Sequence, residues 1–169
     1  MQELTKLGIT EILNDWNYWN RDFEEYVPRT EYLNTIQRFR RSGEIIVLTG
    51  IRRSGKSTLL KLEMQDLAER VGKESLLYIN FEDPRLSDSL DTRTLDHIFE
   101  TYRETINPEG EVYLFLDEVQ NVKAWEKWVR TAYELKKAKI YVTGSSSNLL
   151  SGEIATSKAV VLTLLSLHR

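Results

Sequence analysis

The residues from Gly50 to Ser57, GIRRSGKS, have the types and the spacing that a loop needs to hold phosphate. Gly50 and Gly55 let the backbone curl so that successive N–H groups point toward an anion. Lys56 adds a positive charge for the β- and γ-phosphates, and the Ser57 hydroxyl is a ligand suited to Mg²⁺. The pattern G-x-x-x-x-G-K-[ST] therefore predicts a loop that binds a nucleoside triphosphate.

Further residues in and just after this loop are expected to contact the nucleotide. They are Arg53 and Ser54 in the loop itself and Thr58 in the first turn of the next helix, whose positive N-terminal end attracts anions. The side chains of Arg52 and Arg53 can reach phosphate or a partner, but loop arginines are more often solvated. We therefore expect the loop backbone, rather than these guanidinium groups, to form most of the phosphate contacts.

A second motif places two acids at the end of an apolar run, VYLFLDE, which ends in Asp117 and Glu118. This is the form of a Walker B strand. Asp117 is predicted to hold Mg²⁺ through its water shell opposite Ser57, and Glu118 to polarise a water beside the γ-phosphate. A kinase that passes phosphate to a bound hydroxyl does not need this second acid, so the pair favours hydrolysis over transfer.

The elements that must position these residues are visible as four short apolar runs. They do not alternate polar and apolar residues, which is typical of central strands covered on both faces. They are EIIVLTG from Glu44, SLLYINF from Ser75, EVYLFLD from Glu111 and KIYVTGS from Lys139. Helical patterns separate them at Thr58–Val71, Thr92–Ile106 and Lys123–Lys137, and a fifth strand is predicted from Ala159. The order predicts an α/β fold, a three-layer α/β/α sandwich with a parallel five-stranded sheet.

Two further helices are predicted ahead of the core, at Thr10–Trp19 and Thr30–Arg41, separated by a break around Pro28. We expect residues 1–41 to form an N-terminal helical segment packed on a core of residues 42–169. Trp16 and Trp19 are three residues apart on an otherwise polar helix, and exposed aromatic rings of this kind favour docking of the segment on the core of the same chain.

Composition excludes several classes of site. The 169-residue chain has a net charge of −3, no cysteine and two distant histidines, His97 and His168, so neither a disulfide framework nor a zinc pair is expected. The tract from Ala159 to Leu167 is too short to span a bilayer. These features predict a cytoplasmic protein without membrane association. Its charge does not favour nucleic acid, although Arg38, Arg40 and Arg41 offer a local basic patch.

The segments GIRRSGKST, INFEDPRL, YLFLDEVQNV and VTGSSSNLLSGEIATS together resemble one family. It comprises the AAA-superfamily ATPases of archaea and bacteria that carry an additional C-terminal domain of unknown function. The resemblance runs from about Ile12 to Ser157. It implies binding of ATP by Lys56, Ser57 and Thr58, ligation of Mg²⁺ with Asp117, and hydrolysis assisted by Glu118.

The resemblance also implies a polar sensor that contacts the γ-phosphate from the strand KIYVTGSSS. Side-chain alternation puts Thr143 and Ser145 on one side of this strand. Ser145 is the residue that we assign to the sensor position; the alternative is that the serines only shape a turn.

The sequence departs from the family pattern near its end. After ATS, the leucine and Gly-Arg pair that usually follow are replaced by Lys158, Ala159 and Val160. The chain ends at Arg169, before the helical lid and C-terminal domain that the resemblance implies. We therefore expect a truncated ATPase core in which hydrolysis is slow and drives a conformational switch.

Two other functions fit the same loop. One is a small-molecule kinase, although no arginine-rich lid is evident. The other is a non-catalytic ATP-binding module that acts through a protein partner, a second copy of the chain or DNA. A GTPase is disfavoured because no N-K-x-D guanine-recognition tetrapeptide is present at a suitable place.

Overall fold

Five strands form one sheet in which every pair of neighbours is parallel. The computed structural model describes residues 4–86, 90–145, 149, 154 and 159–165. The strands are β1 (Ile45–Gly50), β2 (Leu76–Asn80), β3 (Tyr113–Asp117), β4 (Lys139–Gly144) and β5 (Ala159–Leu164). Their order across the sheet is β2-β3-β4-β1-β5. The predicted parallel five-stranded sheet, including its fifth strand, is confirmed.

Helices cover both faces of this sheet. They are α1 (Lys6–Trp16), α2 (Thr30–Arg40), α3 (Lys56–Val71), α4 (Thr92–Thr105) and α5 (Trp125–Glu134), with short 3₁₀ turns at Lys73–Ser75 and Val119–Asn121. One apolar cluster joins α1, α4 and α5 to the sheet, and a second joins α2 and α3 to its other face. Successive residues of β1 alternate between the two clusters, as the pleat requires. Within the described ranges, no helix is long and apolar enough to cross a membrane.

Side chains between α1 and α2 cover the open edge of β2. The Asn17 amide donates to the Tyr78 carbonyl at 2.9 Å, and the Asn17 side-chain oxygen accepts from the Tyr78 N–H at 2.8 Å. The Trp19 indole donates to the Leu76 carbonyl at 2.8 Å, and the Trp16 indole to Asp83 at 2.7 Å. Because unpaired edge groups invite pairing with other chains, these contacts both dock the segment and protect the sheet.

The helix bounds differ from the predicted ones by one to four residues, and for two helices the local reason is clear. The first begins at Lys6 rather than Thr10, because the Thr5 hydroxyl caps it by accepting from the Gly8 N–H at 3.1 Å. The last ends at Glu134 rather than Lys137, and Lys136 then takes a left-handed conformation with φ of 54°. The spacing of apolar residues alone predicts neither the cap at Thr5 nor the left-handed residue at Lys136.

The parallel arrangement brings the carboxyl ends of the strands to one edge of the sheet. There β1 ends at Gly50, β3 at Asp117 and β4 at Gly144. Because β4 pairs with both β1 and β3, it separates the glycine-rich loop from the two acids by one strand. The loop and the acids therefore face the same edge, where ligands of open α/β sheets bind.

Candidate nucleotide-binding site

The loop after β1 has a backbone that only glycine allows at two positions. Gly50 has φ of 153° and Gly55 φ of 93°, and Arg53 between them is also left-handed at 65°. A Cβ at Gly50 would lie 2.7 Å from the Ser54 hydroxyl oxygen and 2.8 Å from the Leu164 carbonyl. A Cβ at Gly55 would lie 2.5 Å from Nη1 of Arg29. Conformation therefore favours glycine at both positions, and at Gly50 the Leu164 carbonyl also leaves no space for a Cβ.

Lys56 lies across this loop. Its ammonium group donates to the Gly50 carbonyl at 2.9 Å and to the Ile51 carbonyl at 3.0 Å, and the residue is 5% exposed. The first amides of α3, which begins at Lys56, have no intrahelical partners and carry the positive end of the helix dipole. Cationic and N–H groups therefore converge at one point.

The Ser54 hydroxyl is a buried polar group without a hydrogen-bond partner among the described residues. Its residue is 1% exposed, and its N–H donates to the Ile51 carbonyl at 3.2 Å. A buried hydroxyl left unpaired costs about 1 to 3 kcal/mol. Such a group beside a curled loop is a feature expected of a site that a ligand completes.

Asp117 ends β3 fully buried and receives one hydroxyl on each carboxylate oxygen. The Thr143 hydroxyl donates to Oδ1 and the Tyr78 hydroxyl donates to Oδ2, both at 2.5 Å. Burial and the adjacent Asp117 raise the pKa of Tyr78, while the Ser57 hydroxyl interacts with the same phenol and opposes that rise. The Tyr78 and Thr143 hydroxyls thus hold both oxygens of the Asp117 carboxylate.

Glu118 leaves the strand in a left-handed conformation, with φ of 56° and ψ of 48°. A residue other than glycine rarely adopts this conformation, and it occurs most often where function fixes the backbone. The Glu118 N–H donates to the Thr143 hydroxyl at 3.0 Å, and its Oε2 accepts from the Gln120 amide at 2.7 Å. The half-buried carboxylate is therefore held at both its backbone and its side chain.

Thr143 is the polar residue of β4 that joins the two acids. Its hydroxyl donates to Asp117 and accepts from the Glu118 N–H, and the residue is fully buried. Ser145, the predicted sensor, lies just beyond the end of β4 and is half-buried. Thr143, which the alternation of the strand placed on the same side as Ser145, contacts both acids.

A buried ion pair supports the helix that follows the loop. Glu63 of α3 accepts from the Arg40 guanidinium at 2.6 Å and from the Tyr141 hydroxyl at 3.1 Å, and Arg40 also pairs with Asp66 at 2.8 Å. Burial raises the pKa of Glu63 to about 7, and the positive charge of Arg40 opposes the rise. The pair links α2, α3 and β4 below the site.

A polar cleft of about 540 Å³ opens on the same edge of the sheet. Its lining includes Arg52 of the loop, Glu82 and Asp83 after β2, and Asn121 after the acidic motif. A larger cavity of about 760 Å³ lies at the opposite edge, between Gly43 and Lys139. Cavity size alone therefore does not mark the site, because the convergent polar groups lie beside the smaller cleft.

Three of these functional residues had weak or absent signals in the sequence. Tyr78 stands within an apolar run that is typical of core, and Arg29 stands in a loop that no motif marks. Gln120 follows the acidic pair without a recognised pattern. Tyr78 reaches Asp117 because β2 pairs with β3, and Arg29 reaches the loop through a hydrogen bond to Ser54.

Curated relatives of this chain come from bacteria and archaea. An uncharacterized protein of Haemophilus influenzae is 33% identical over 132 residues, which cover 77% of this chain and 32% of that protein. An uncharacterized protein of Methanocaldococcus jannaschii is 39% identical over 114 residues, which cover 68% of this chain and 24% of that protein. The chain thus spans about a third or a quarter of the length of these relatives.

Solved structures share the fold at low sequence identity. The structure of C. elegans PCH-2 has a TM-score of 0.51 at 19% identity, covering 79% of this chain and 41% of that chain. The structure of Drosophila ORC bound to AT-rich DNA and Cdc6 has a TM-score of 0.52 at 14% identity, covering 95% of this chain and 58% of that chain. Residues 42–168, three quarters of the sequence, match the family described as AAA domain. The chain therefore belongs to the AAA domain family.

Proposed function

We propose that this chain binds ATP with Mg²⁺ and hydrolyses it to ADP and phosphate, and that the cycle drives a conformational switch. The observation that carries the proposal is the common edge of the sheet at which the glycine-rich loop and the Asp117–Glu118 pair both lie, with the Thr143 hydroxyl joining the two acids. Membership of the AAA domain family supports nucleotide binding in general.

The residues present fit a nucleotide with its metal on three counts. The loop backbone is curled, with positive φ at Gly50, Arg53 and Gly55. The buried Ser54 hydroxyl has no partner among the described residues, so it is available to accept or donate. The Asp117 carboxylate at the end of β3 and the Ser57 hydroxyl in the first turn of α3 lie at the same edge of the sheet, and oxygen ligands of this kind are those that Mg²⁺ prefers.

Phosphate binding is assigned to the loop and the first turn of α3. Lys56 would exchange its two carbonyl contacts for the β- and γ-phosphates, while the backbone amides of the loop orient the chain of phosphates. These amides belong to Arg53, Ser54, Gly55, Lys56, Ser57 and Thr58.

Metal binding is assigned to Ser57 and Asp117. When bound, Mg²⁺ would neutralise charge on the phosphates and orient the γ-phosphoryl group for attack by water at phosphorus. The two hydroxyls on Asp117 fix the plane of its carboxylate, and a carboxylate has further lone pairs with which to accept from metal-bound water. Asp117 is therefore held in a fixed orientation while buried.

Proton transfer is assigned to Glu118. Its Oε2 is held by the Gln120 amide, and the other carboxylate oxygen is the acceptor for a proton of the attacking water. The sensor role is assigned to the end of β4, with Ser145 as the predicted phosphate contact and Thr143 as the residue that aligns the acids. The resulting switch is proposed to act on a protein partner or a second copy of the chain.

The test is ATP turnover by wild type, Glu118→Gln and a control, Glu109→Gln, which removes an exposed carboxylate at the other edge of the sheet. Loss of a general base lowers turnover by about 10²- to 10⁴-fold. We expect that loss for Glu118→Gln, with ATP affinity retained, and none for Glu109→Gln. Equal turnover by the three proteins would reject hydrolysis through Glu118 and favour a binding module.

A further inference from the structure

A contact between the N-terminal segment and the loop is not explained by the motif. Arg29 lies immediately before α2, and its Nη1 donates to the Ser54 carbonyl at 2.6 Å. Its guanidinium carbon is 4.7 Å from the centre of the Tyr32 ring, within the range of a cation–π interaction. The Tyr32 hydroxyl in turn accepts from the Leu165 N–H at 3.3 Å. Arg29 is thus held between the loop and a ring anchored beside β5.

The hydrogen bond to Ser54 sets the direction of the next amide. The Ser54 carbonyl and the Gly55 N–H belong to the same planar trans peptide, so they point in opposite directions. By holding the carbonyl, Arg29 turns the Gly55 N–H away from itself. Within the described part of the chain that N–H donates to no protein group, which leaves it available to an anion.

The same contact accounts for the second glycine of the loop. Gly55 has φ of 93°, and a Cβ there would lie 2.5 Å from Nη1 of Arg29. The guanidinium therefore packs directly on the Gly55 backbone. A side chain at position 55 would displace Arg29 as well as strain the loop.

We propose that Arg29 is a positioning residue of the phosphate site, which holds the Ser54–Gly55 peptide so that the Gly55 N–H faces the phosphate chain of the ligand. The inference rests on the proposed function, because it assumes that the loop binds phosphate. It assigns the N-terminal segment a direct part in ligand binding, beyond covering the edge of β2. The ligand chemistry concerned is the diphosphate unit, which ATP, ADP and inorganic pyrophosphate share.

Loss of Arg29 is therefore expected to weaken the binding of all three ligands by a similar factor. A hydrogen bond between a backbone N–H and a charged phosphate is a strong one, so the expected loss of affinity is about 10-fold or more. If Arg29 acted instead on the base of the nucleotide, its loss would leave the binding of pyrophosphate, which has no base, unchanged. Arg29→Lys is expected to be intermediate, because an ammonium can donate to the Ser54 carbonyl but lacks the planar group that stacks on Tyr32.

The experiment compares wild type, Arg29→Ala, Arg29→Lys and a control, Arg38→Ala. Arg38 is an exposed arginine of α2 whose guanidinium lies over the Phe39 ring at 5.4 Å. Calorimetry measures the dissociation constants of ATP, ADP and pyrophosphate. The ¹⁵N–¹H resonance of Gly55, recorded without ligand, reports the peptide orientation, and thermal unfolding reports stability.

The inference predicts weaker binding of all three ligands and a shifted Gly55 resonance in Arg29→Ala, with Arg38→Ala like wild type. A partial shift in Arg29→Lys supports it in the event that Arg29→Ala does not fold. Wild-type affinity and an unshifted Gly55 resonance in the Arg29 variants would overturn it. Absence of ATP binding by wild type would instead reject the proposed function, while the Gly55 resonance would still decide whether Arg29 orients the peptide.

Discussion

Replacing Thr143 by valine removes one hydroxyl that serves both acids of the site. The side chains have nearly the same shape, so the buried position keeps its packing while two hydrogen bonds are lost. One of them is donated to the Asp117 carboxylate, and the other is accepted from the Glu118 N–H. The substitution therefore isolates the polar role of Thr143.

The expected loss of stability follows from those two contacts. A hydrogen bond to a charged group contributes about 1.5 to 3 kcal/mol, and a buried donor left without its partner costs about 1 to 3 kcal/mol. We expect the free energy of unfolding to fall by about 3 kcal/mol. For a domain of this size that corresponds to a melting temperature lower by about 6 to 12 °C.

The expected effect on activity follows from the backbone of Glu118. Its left-handed conformation is fixed in part by the bond to Thr143, and a catalytic group displaced by an ångström can lose about 100-fold in rate. We expect turnover of ATP to fall about 10- to 100-fold in Thr143→Val. Thr143→Ser, which keeps the hydroxyl, should retain most of the wild-type rate.

Thermal unfolding and turnover are measured together, with Thr163→Val as the matched control. Thr163 is an exposed threonine of β5 that shares a 3.0 Å hydrogen bond with Thr49. Its replacement leaves the buried Thr49 hydroxyl with only a 3.5 Å contact to the Leu162 carbonyl, so we expect the free energy of unfolding to fall by about 1 kcal/mol and turnover to stay at the wild-type rate. If Thr143→Val melts and turns over like Thr163→Val, the hydroxyl bridge does not organise the acidic pair.

Two further predictions concern the elements around the site. Because the pKa of Glu63 rises to about 7 in the folded protein from 4.5 when unfolded, its stabilising contribution is complete below about pH 4.5 and is lost as the pH rises through about 7. Urea unfolding at a series of pH values should therefore show that the free energy of unfolding falls as the pH rises, and Glu63→Gln should reduce this fall. An equal fall in wild type and in Glu63→Gln would contradict this account of the buried pair. Asn17→Ala, which uncovers the Tyr78 edge groups, should lower the free energy of unfolding by about 2 kcal/mol and accelerate exchange of the Tyr78 amide hydrogen, whereas exposed Asn14→Ala should do neither.

The sequence was sufficient to predict the sheet because its signals are local. Each strand is a short run of residues buried on both faces, and each connecting segment has helical spacing, so the parallel order follows from general rules of chain connection. The glycine-rich loop was predictable for the same reason, since its whole motif lies within the eight residues from Gly50 to Ser57. Both features are marked by residues close together in the chain.

The parts that could not be predicted depend on contacts between distant residues. Arg29 and Ser54 are 25 positions apart, and Tyr78 and Asp117 are 39 apart, so no spacing rule connects them. At the end of β4, alternation placed both Thr143 and Ser145 on the relevant side but did not distinguish them. The pairing of β3 with β4 makes that distinction, because it brings the Thr143 hydroxyl to Asp117 and to the Glu118 N–H.

The central claim is that the loop between β1 and α3 holds a triphosphate, and equilibrium binding tests it most directly. Calorimetric titration of ATP in the presence of Mg²⁺ should show one site on the wild-type chain. Lys56→Ala should abolish or greatly weaken that binding, because it removes the cation that lies across the loop. No detectable binding by the folded wild-type chain, or equal affinity in Lys56→Ala, would contradict the claim.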